Sequence, residues 1–134
     1  MEGKFIVASG PVIIKKGCIL VDKDSKDDFY KIPGGTVREG ESLEDACIRR
    51  AKQEINADIK IVKAMKPKIL YENPQTKEKM VIVLINYLAK LVNPKEIRAI
   101  EPVKELRWLS IKEIRQGKHR ISPNVEFIVS QISN

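Results

Sequence analysis

A chain of 134 residues is long enough for one domain and short for two, and its 43% hydrophobic content can bury a core without staples. Its only two cysteines, Cys18 and Cys47, stand far apart, so free thiols are expected and a disulfide framework is excluded. The net charge of +7, from 25 Lys and Arg against 18 Asp and Glu, suits an anionic ligand, yet the lysines are scattered as on an ordinary solvated surface, and three Phe, three Tyr and one Trp are too few for a platform that stacks single strands.

In chain order, Phe5 to Lys15 alternates loosely and is rich in Val and Ile, which predicts a strand bent near Gly10-Pro11. Lys16-Gly17 makes a turn into a second short strand, Cys18 to Val21. Asp22 to Asp28 is almost wholly charged and reads as an exposed loop. Phe29 to Ile32 is extended ahead of Pro33, and Gly34-Gly35 permits backbone conformations closed to other residues. Ser42 then caps a helix, with Asp45 in the capping-box position and Leu43, Cys47, Ala51 and Ile55 in a stripe at spacing four; the helix ends near Asn56. Asp58 to Tyr71 and Glu78 to Val92 read as two long strands joined through Asn73-Pro74. A strand over Val103 to Leu109 follows, then a short helix from Ser110 to Gly117 and an amphipathic helix after Pro123 carrying Val125, Ile128, Val129 and Ile132. Strands, helix, strands, helices in that order predict a mixed sheet covered on both faces, as one domain over residues 1–134. No apolar run approaches the roughly 20 residues needed to span a bilayer. Met1 to Phe5 carries no apolar signal core, so a cytoplasmic protein without a membrane role is expected.

The most informative stretch is Ile32 to Ala57, IPGGTVREGESLEDACIRRAKQEINA. Gly35 is followed by Glu41 six positions on and Arg49 eight after that. Ala51, Glu54 and Ala57 close the pattern, and Tyr30-Lys31-Ile32-Pro33-Gly34-Gly35 leads into it. This resembles the Nudix box: Gly, five residues, Glu, seven residues, Arg-Glu, an aliphatic, any residue, Glu-Glu, any residue, Gly, an aliphatic. Glu105-Leu106-Arg107-Trp108-Leu109-Ser110 with the helix after it is similar to the downstream element of many members, so the likeness covers residues 4 to 115. It implies an α/β/α sandwich with a mixed sheet, of α/β (α+β) class, and a pyrophosphohydrolase that splits a nucleoside diphosphate linked to another moiety. It also implies Mg²⁺ or Mn²⁺ as cofactor, and a homodimer would be in keeping with it.

The chemistry needs such a pattern. Splitting a diphosphate calls for cations that neutralise phosphate oxygens and activate water, and hard cations take oxygen ligands. Positions 50, 53 and 54 project from one helix face, and the glycine loop lets backbone approach a metal or phosphate. The resemblance makes Glu54 the main metal ligand, with Gly35 and Gln53 beside it, and Glu41 with Arg49 a charge-assisted brace next to the catalytic centre. Tyr30, Arg38 and Arg50 are candidate substrate contacts, with Lys31 a further phosphate contact. Glu105 and Glu101 are candidates for the general base, and Glu39 and Glu44 are other acids within reach of the pattern.

The sequence departs from the family at three box positions: Arg50 stands for a Glu, Gln53 for a Glu and Asn56 for a Gly. Arg50 puts a cation where the family places an anion; pointing inward it opposes a metal or binds a phosphate, and turned outward it is an ordinary surface arginine. Two functions follow: a metal-dependent hydrolase of weakened activity, or a retired active site that binds a nucleotide or RNA. Cys47 on the apolar stripe reads as packing, Trp108 as core, and His119 as a surface residue.

Overall fold

The computed structural model describes residues 3–132. Strands β1 (Lys4–Lys15) and β2 (Cys18–Asp24) form a hairpin in which Lys16 and Gly17 take φ of +53° and +77°, the left-handed pair that a two-residue turn requires. β6 (Lys79–Leu91) runs parallel along one edge of β1, from Lys4 beside Met80 to Ile13 beside Ala89. The other edge of β1 is shared. The short β3 (Gly35–Thr36) pairs with Ala8 and Ser9, and β2 pairs with Ile14 and Lys15. β7 (Val103–Ser110) extends the sheet beyond β2, and β4 (Ile59–Ala64) and β5 (Lys68–Glu72) both pair antiparallel with β6. The result is a seven-stranded mixed sheet.

Helix α1 (Leu43–Ile55) covers one face, burying Ala51 and Ile55 against Ile13 and Leu20 with Leu106 and Trp108 at the margin. Helices α2 (Ile111–Arg115) and α3 (Pro123–Ser130) cover the other, where Ile114, Val125 and Ile128 meet Val12, Val21 and Leu109. The mixed sheet covered on both faces that the order of elements predicts is therefore present, as the α/β/α sandwich that the resemblance implies. Ser42 caps α1 by accepting the Asp45 N–H at 3.0 Å, and Asn56 ends it in the left-handed conformation. The chain after β6 then ties the helix end down: Ile100 N–H donates to the Glu54 carbonyl and Arg98 N–H to that of Ile55.

Two sequence expectations are corrected. Asp58 to Tyr71 is two strands, because Pro67 has no N–H to give the ladder and the chain breaks step at Met65–Pro67 before rejoining the same edge of β6. Asp22 to Asp28 is not wholly an exposed loop: β2 continues to Asp24, and the Asp22 side chain is fully buried.

Gly10 is where β1 meets the glycine loop. A Cβ at Gly10 would overlap the Pro33 carbonyl oxygen and come within 2.9 Å of the Gly34 Cα, all of it backbone that cannot turn aside. Gly10→Ala is expected to lower stability by about 2–3 kcal/mol, read as a lower urea midpoint at unchanged slope; an unchanged midpoint would mean that the two segments are not held this close.

Candidate active site

The glycine loop is held between β1 and α1. Ser9 Oγ donates to the Leu43 carbonyl at 3.0 Å, pinning the start of the helix to the strand. Gly34 has φ +148°, and a Cβ on it would strike the Ser9 carbonyl oxygen. Its N–H donates to Glu54 Oε1 at 3.2 Å, so the loop and the end of α1 are joined through this carboxylate.

Arg49 and Glu41 meet as a fork: Nε to Oε2 at 2.7 Å and Nη2 to Oε1 at 2.9 Å. Glu41 Oε1 also accepts the Arg38 N–H at 3.0 Å. The guanidinium, with that N–H, holds the Glu41 carboxyl down at about 2. Arg49 reaches further, to the Thr36 carbonyl at 3.2 Å and to Gln53 Oε1 at 3.0 Å. Arg50 turns inward, its Nε and Nη2 on the same Thr36 carbonyl and its Nη1 3.7 Å from Glu54 Oε2. Arg38 is exposed and reaches the cluster through its backbone.

Glu54 is largely buried, and burial raises its pKa against the opposing pull of the Gly34 N–H and of Arg50. Close by lies Asp22, which the sequence gave no reason to single out. It is two residues from Leu20 on β2, so both point to the face covered by α1. Neither of its carboxyl oxygens has a hydrogen-bond partner. Burial and then the charge of Glu54 raise its pKa to about 7, with Lys31 working the other way. Lys31 itself is paired to Asp27 at 2.9 Å and Asp24 at 3.4 Å.

Other predicted residues stand apart. Glu105 pairs across the sheet with Lys23, one step from Asp22, and so faces away from Glu54. There it accepts the Tyr30 hydroxyl at 2.5 Å and pairs with Arg107 at 2.6 Å. Tyr30 packs against the α2–α3 core, and Lys23 lies over its ring at 4.6 Å. Glu101 is exposed and paired with Lys104. The structure thus brings together Gly35, Arg38, Glu41, Arg49, Arg50, Gln53 and Glu54, and leaves Tyr30 and Glu105 on the opposite face. Cys47 is buried, its thiol pushed up to about 12 by burial, as befits packing. His119 pairs with Glu113 at 2.8 Å.

A cleft of about 360 Å³ opens beside the loop, on the side of Gly34, Gly35 and Thr36. Ile6, Ile82, Leu84 and Phe29 give it apolar walls. Its polar floor is a pair of buried amides: Asn124 Nδ2 donates to Asn86 Oδ1 at 2.9 Å and Asn86 Nδ2 to the Gly10 carbonyl at 3.0 Å, leaving Asn124 Oδ1 without a partner. Neither amide was legible as a site residue. The one signal was an asparagine ending the apolar run Met80–Ile85.

A model of the NUDIX domain matches residues 5–127. The chain belongs to the NUDIX domain family. No curated protein matches it significantly in sequence. Among solved structures, this Nudix domain superposes on a MutT NUDIX hydrolase from Burkholderia pseudomallei with a TM-score of 0.77 at 19% identity, covering 97% of this chain and 99% of that one. It superposes on an Ap4A hydrolase binary complex from C. elegans with a TM-score of 0.73 at 21% identity, covering 93% of each. A bifunctional NMN adenylyltransferase/ADP ribose pyrophosphatase from Francisella tularensis, complexed with AMP and a Mn ion, gives 0.68 at 18% identity, covering 96% of this chain and 41% of that one. Family and neighbours together support a hydrolase. No helix among the described residues is long and apolar enough to cross a membrane.

Nudix hydrolases generally use divalent metals. The donors here do not fit a firmly held one. Among the described residues no three His, Cys, Asp or Glu side chains converge as ligands. The Gln53 oxygen is taken by Arg49, Glu54 Oε1 by Gly34, and a guanidinium already stands beside Glu54 Oε2.

Asp22 gives a test of the site's electrostatics. Folding raises its pKa from 3.8 to about 7, so the native protein holds this proton more tightly than the unfolded chain. Stability from the group is full below the lower value and is lost as pH rises through the upper one. Asp22→Asn should therefore outlast the parent in urea at pH 8, by on the order of 2–4 kcal/mol, with the gap closing toward pH 4; a gap independent of pH would show that Asp22 titrates normally.

Proposed function

We propose that this Nudix domain hydrolyses a nucleoside diphosphate linked to another moiety. One observation carries the reading: Gly34, Gly35 and Thr36 line the cleft on one side and hold Glu54, Arg49 and Arg50 on the other. A base seated between the apolar walls would meet the free Asn124 oxygen, which accepts an N–H, and its diphosphate would reach the loop. Lys31 is the cation that lines the cleft, and Arg50 lies against the other side of the loop, within the basic overall charge of the chain. The named substrates of the Ap4A hydrolase and ADP ribose pyrophosphatase neighbours belong to this chemical class.

In the reaction a water oxygen attacks one phosphorus, the bridging P–O bond breaks, and the departing phosphate takes the bond electrons. Glu54 is the carboxylate placed to accept the proton from that water, oriented by the Gly34 N–H. Burial raises its basicity toward the range where proton transfer is effective. Glu41 and Arg49 hold the loop and helix at fixed spacing. The cofactor that goes with this reading is Mg²⁺ or Mn²⁺ held mainly by phosphate oxygens and water, since the protein's own donors are largely engaged. A cytoplasmic setting fits such a substrate. The observations give no support to RNA as ligand or to a homodimer.

The first test is phosphate or nucleotide release from a panel of nucleoside diphosphate derivatives with Mg²⁺, Mn²⁺ or EDTA. Turnover is expected on at least one member. Silence across the panel with retained nucleotide binding would instead identify a binding module, the reading that Arg50 beside Glu54 favours. Glu54→Gln should lower kcat by about 100-fold or more with little change in binding. Because Glu54 must be deprotonated to act, kcat/KM should fall as pH drops through a value above the ordinary 4.5; a pH-independent rate in the acid range would remove Glu54 from the role.

A further inference from the structure

The surroundings of Arg50 are those of a bound cation. Its guanidinium is laid against Gly35, where a Cβ would come within 2.8 Å of Cζ and 2.9 Å of Nε and would push it aside from this position. Its partners are oxygens: the Thr36 carbonyl at 3.3 Å and 3.1 Å, and Glu54 Oε2 at 3.7 Å. A loop carbonyl and a helix carboxylate are the donors that a hard cation takes. The guanidinium occupies the place between them as a planar, positively charged fork of donors.

Arg49 and Arg50 converge on one carbonyl, yet they differ in charge balance. Arg49 is neutralised by the two-point contact with Glu41. Arg50 has only a one-point ion pair, its Nη1 3.7 Å from Glu54 Oε2 and beyond hydrogen-bond length. The side chain is 26% exposed, and Gly35 and Thr36 beneath it line the cleft. Arg50 is therefore a partly exposed cation laid on two of the loop residues that line the cleft, and a planar guanidinium fork matches phosphate oxygens two at a time.

We propose that the Arg50 guanidinium, seated on Gly35 between the Thr36 carbonyl and Glu54, is the resident cation of the diphosphate site, so that this chain binds a nucleoside diphosphate without a divalent ion. The proposal rests on the reading of the cleft as a nucleotide site, but it concerns binding and not turnover.

The experiment is calorimetric titration of the whole chain with ADP and, separately, inorganic pyrophosphate, in EDTA and in Mn²⁺. Wild-type affinity for both should agree within about twofold between the two conditions. Arg50→Gln should weaken binding in EDTA by about tenfold or more at an unchanged melting temperature. Arg50→Lys, which keeps the charge and loses the fork, should fall between. Arg50→Glu should lose binding in EDTA and gain Mn²⁺ itself, seen as broadening of the aqueous Mn²⁺ resonance. Wild-type binding abolished by EDTA overturns the proposal, as does Arg50→Gln binding as well as wild type. Should Arg50→Gln lower the melting temperature, Arg50→Lys decides: no binding of pyrophosphate by a folded Lys variant in EDTA overturns it. A silent hydrolysis panel with EDTA-resistant ADP binding would sink the hydrolase reading and leave this one standing. Turnover with binding lost in EDTA would do the reverse.

Discussion

Two stretches of backbone, Gly10 of β1 and Pro33–Gly34 of the loop, approach so closely that no side chain fits between them. The remaining geometry of the site is referred to this contact. From the neighbouring residue, Ser9 pins the start of α1 through the Leu43 carbonyl, while the Gly10 carbonyl accepts from Asn86 on the floor of the cleft. The same few residues of one strand therefore set the position of the helix that carries the acids and bases and of the cavity that faces them. Because β1 is central in the sheet, with β6 on one edge and β3 and β2 on the other, this reference point is among the least mobile parts of the fold.

On that frame the charges are arranged unevenly. The Glu41–Arg49 pair is closed on itself and serves to fix the distance between loop and helix. Glu54 and Asp22 lie close together beneath and on α1, where loss of water raises the proton affinity of both and the charge of Glu54 raises that of Asp22 further. Arg50 supplies positive charge next to them. The glycine loop lines an apolar cleft on one side and holds a carboxylate and a guanidinium on the other, the arrangement behind the proposed diphosphate site, and that guanidinium stands where the family pattern has a glutamate. The far face of the sheet holds a second group, Tyr30, Glu105, Arg107 and Lys23, satisfied among themselves and separated from Glu54 by the sheet.

Much of this was legible in the sequence. The Ser42 cap, the stripe through Cys47, Ala51 and Ile55, the Lys16-Gly17 turn and the alternation of β1 are local signals, and local signals are decided by neighbours in the chain. The resemblance to the Nudix box is what marked Gly35, Glu41, Arg49 and Glu54 as residues that meet; helix periodicity accounts only for the pairs Arg49–Gln53 and Arg50–Glu54. Asp22 was misread because a run of charges looks solvated whichever way its residues face; only the pairing of β2 with β7 and the docking of α1 put that carboxyl in the core. Asn86 and Asn124, 38 residues apart, meet only when α3 packs on the sheet. That Glu105 faces away from Glu54 was hidden for a related reason, since one step along a strand reverses the direction of a side chain and sequence alone does not set the register.

The sequence by itself determined the family pattern, through the resemblance of one stretch, the sheet covered on both faces, through the order of its elements, and the set of residues on α1 that share a face, through periodicity along a single helix. Tertiary structure alone decided that Arg50 turns inward onto Gly35, that Asp22 is buried beside Glu54, and that two asparagines floor the cleft. Each of these depends on which surface a second element presents, and that is settled by packing across the sheet.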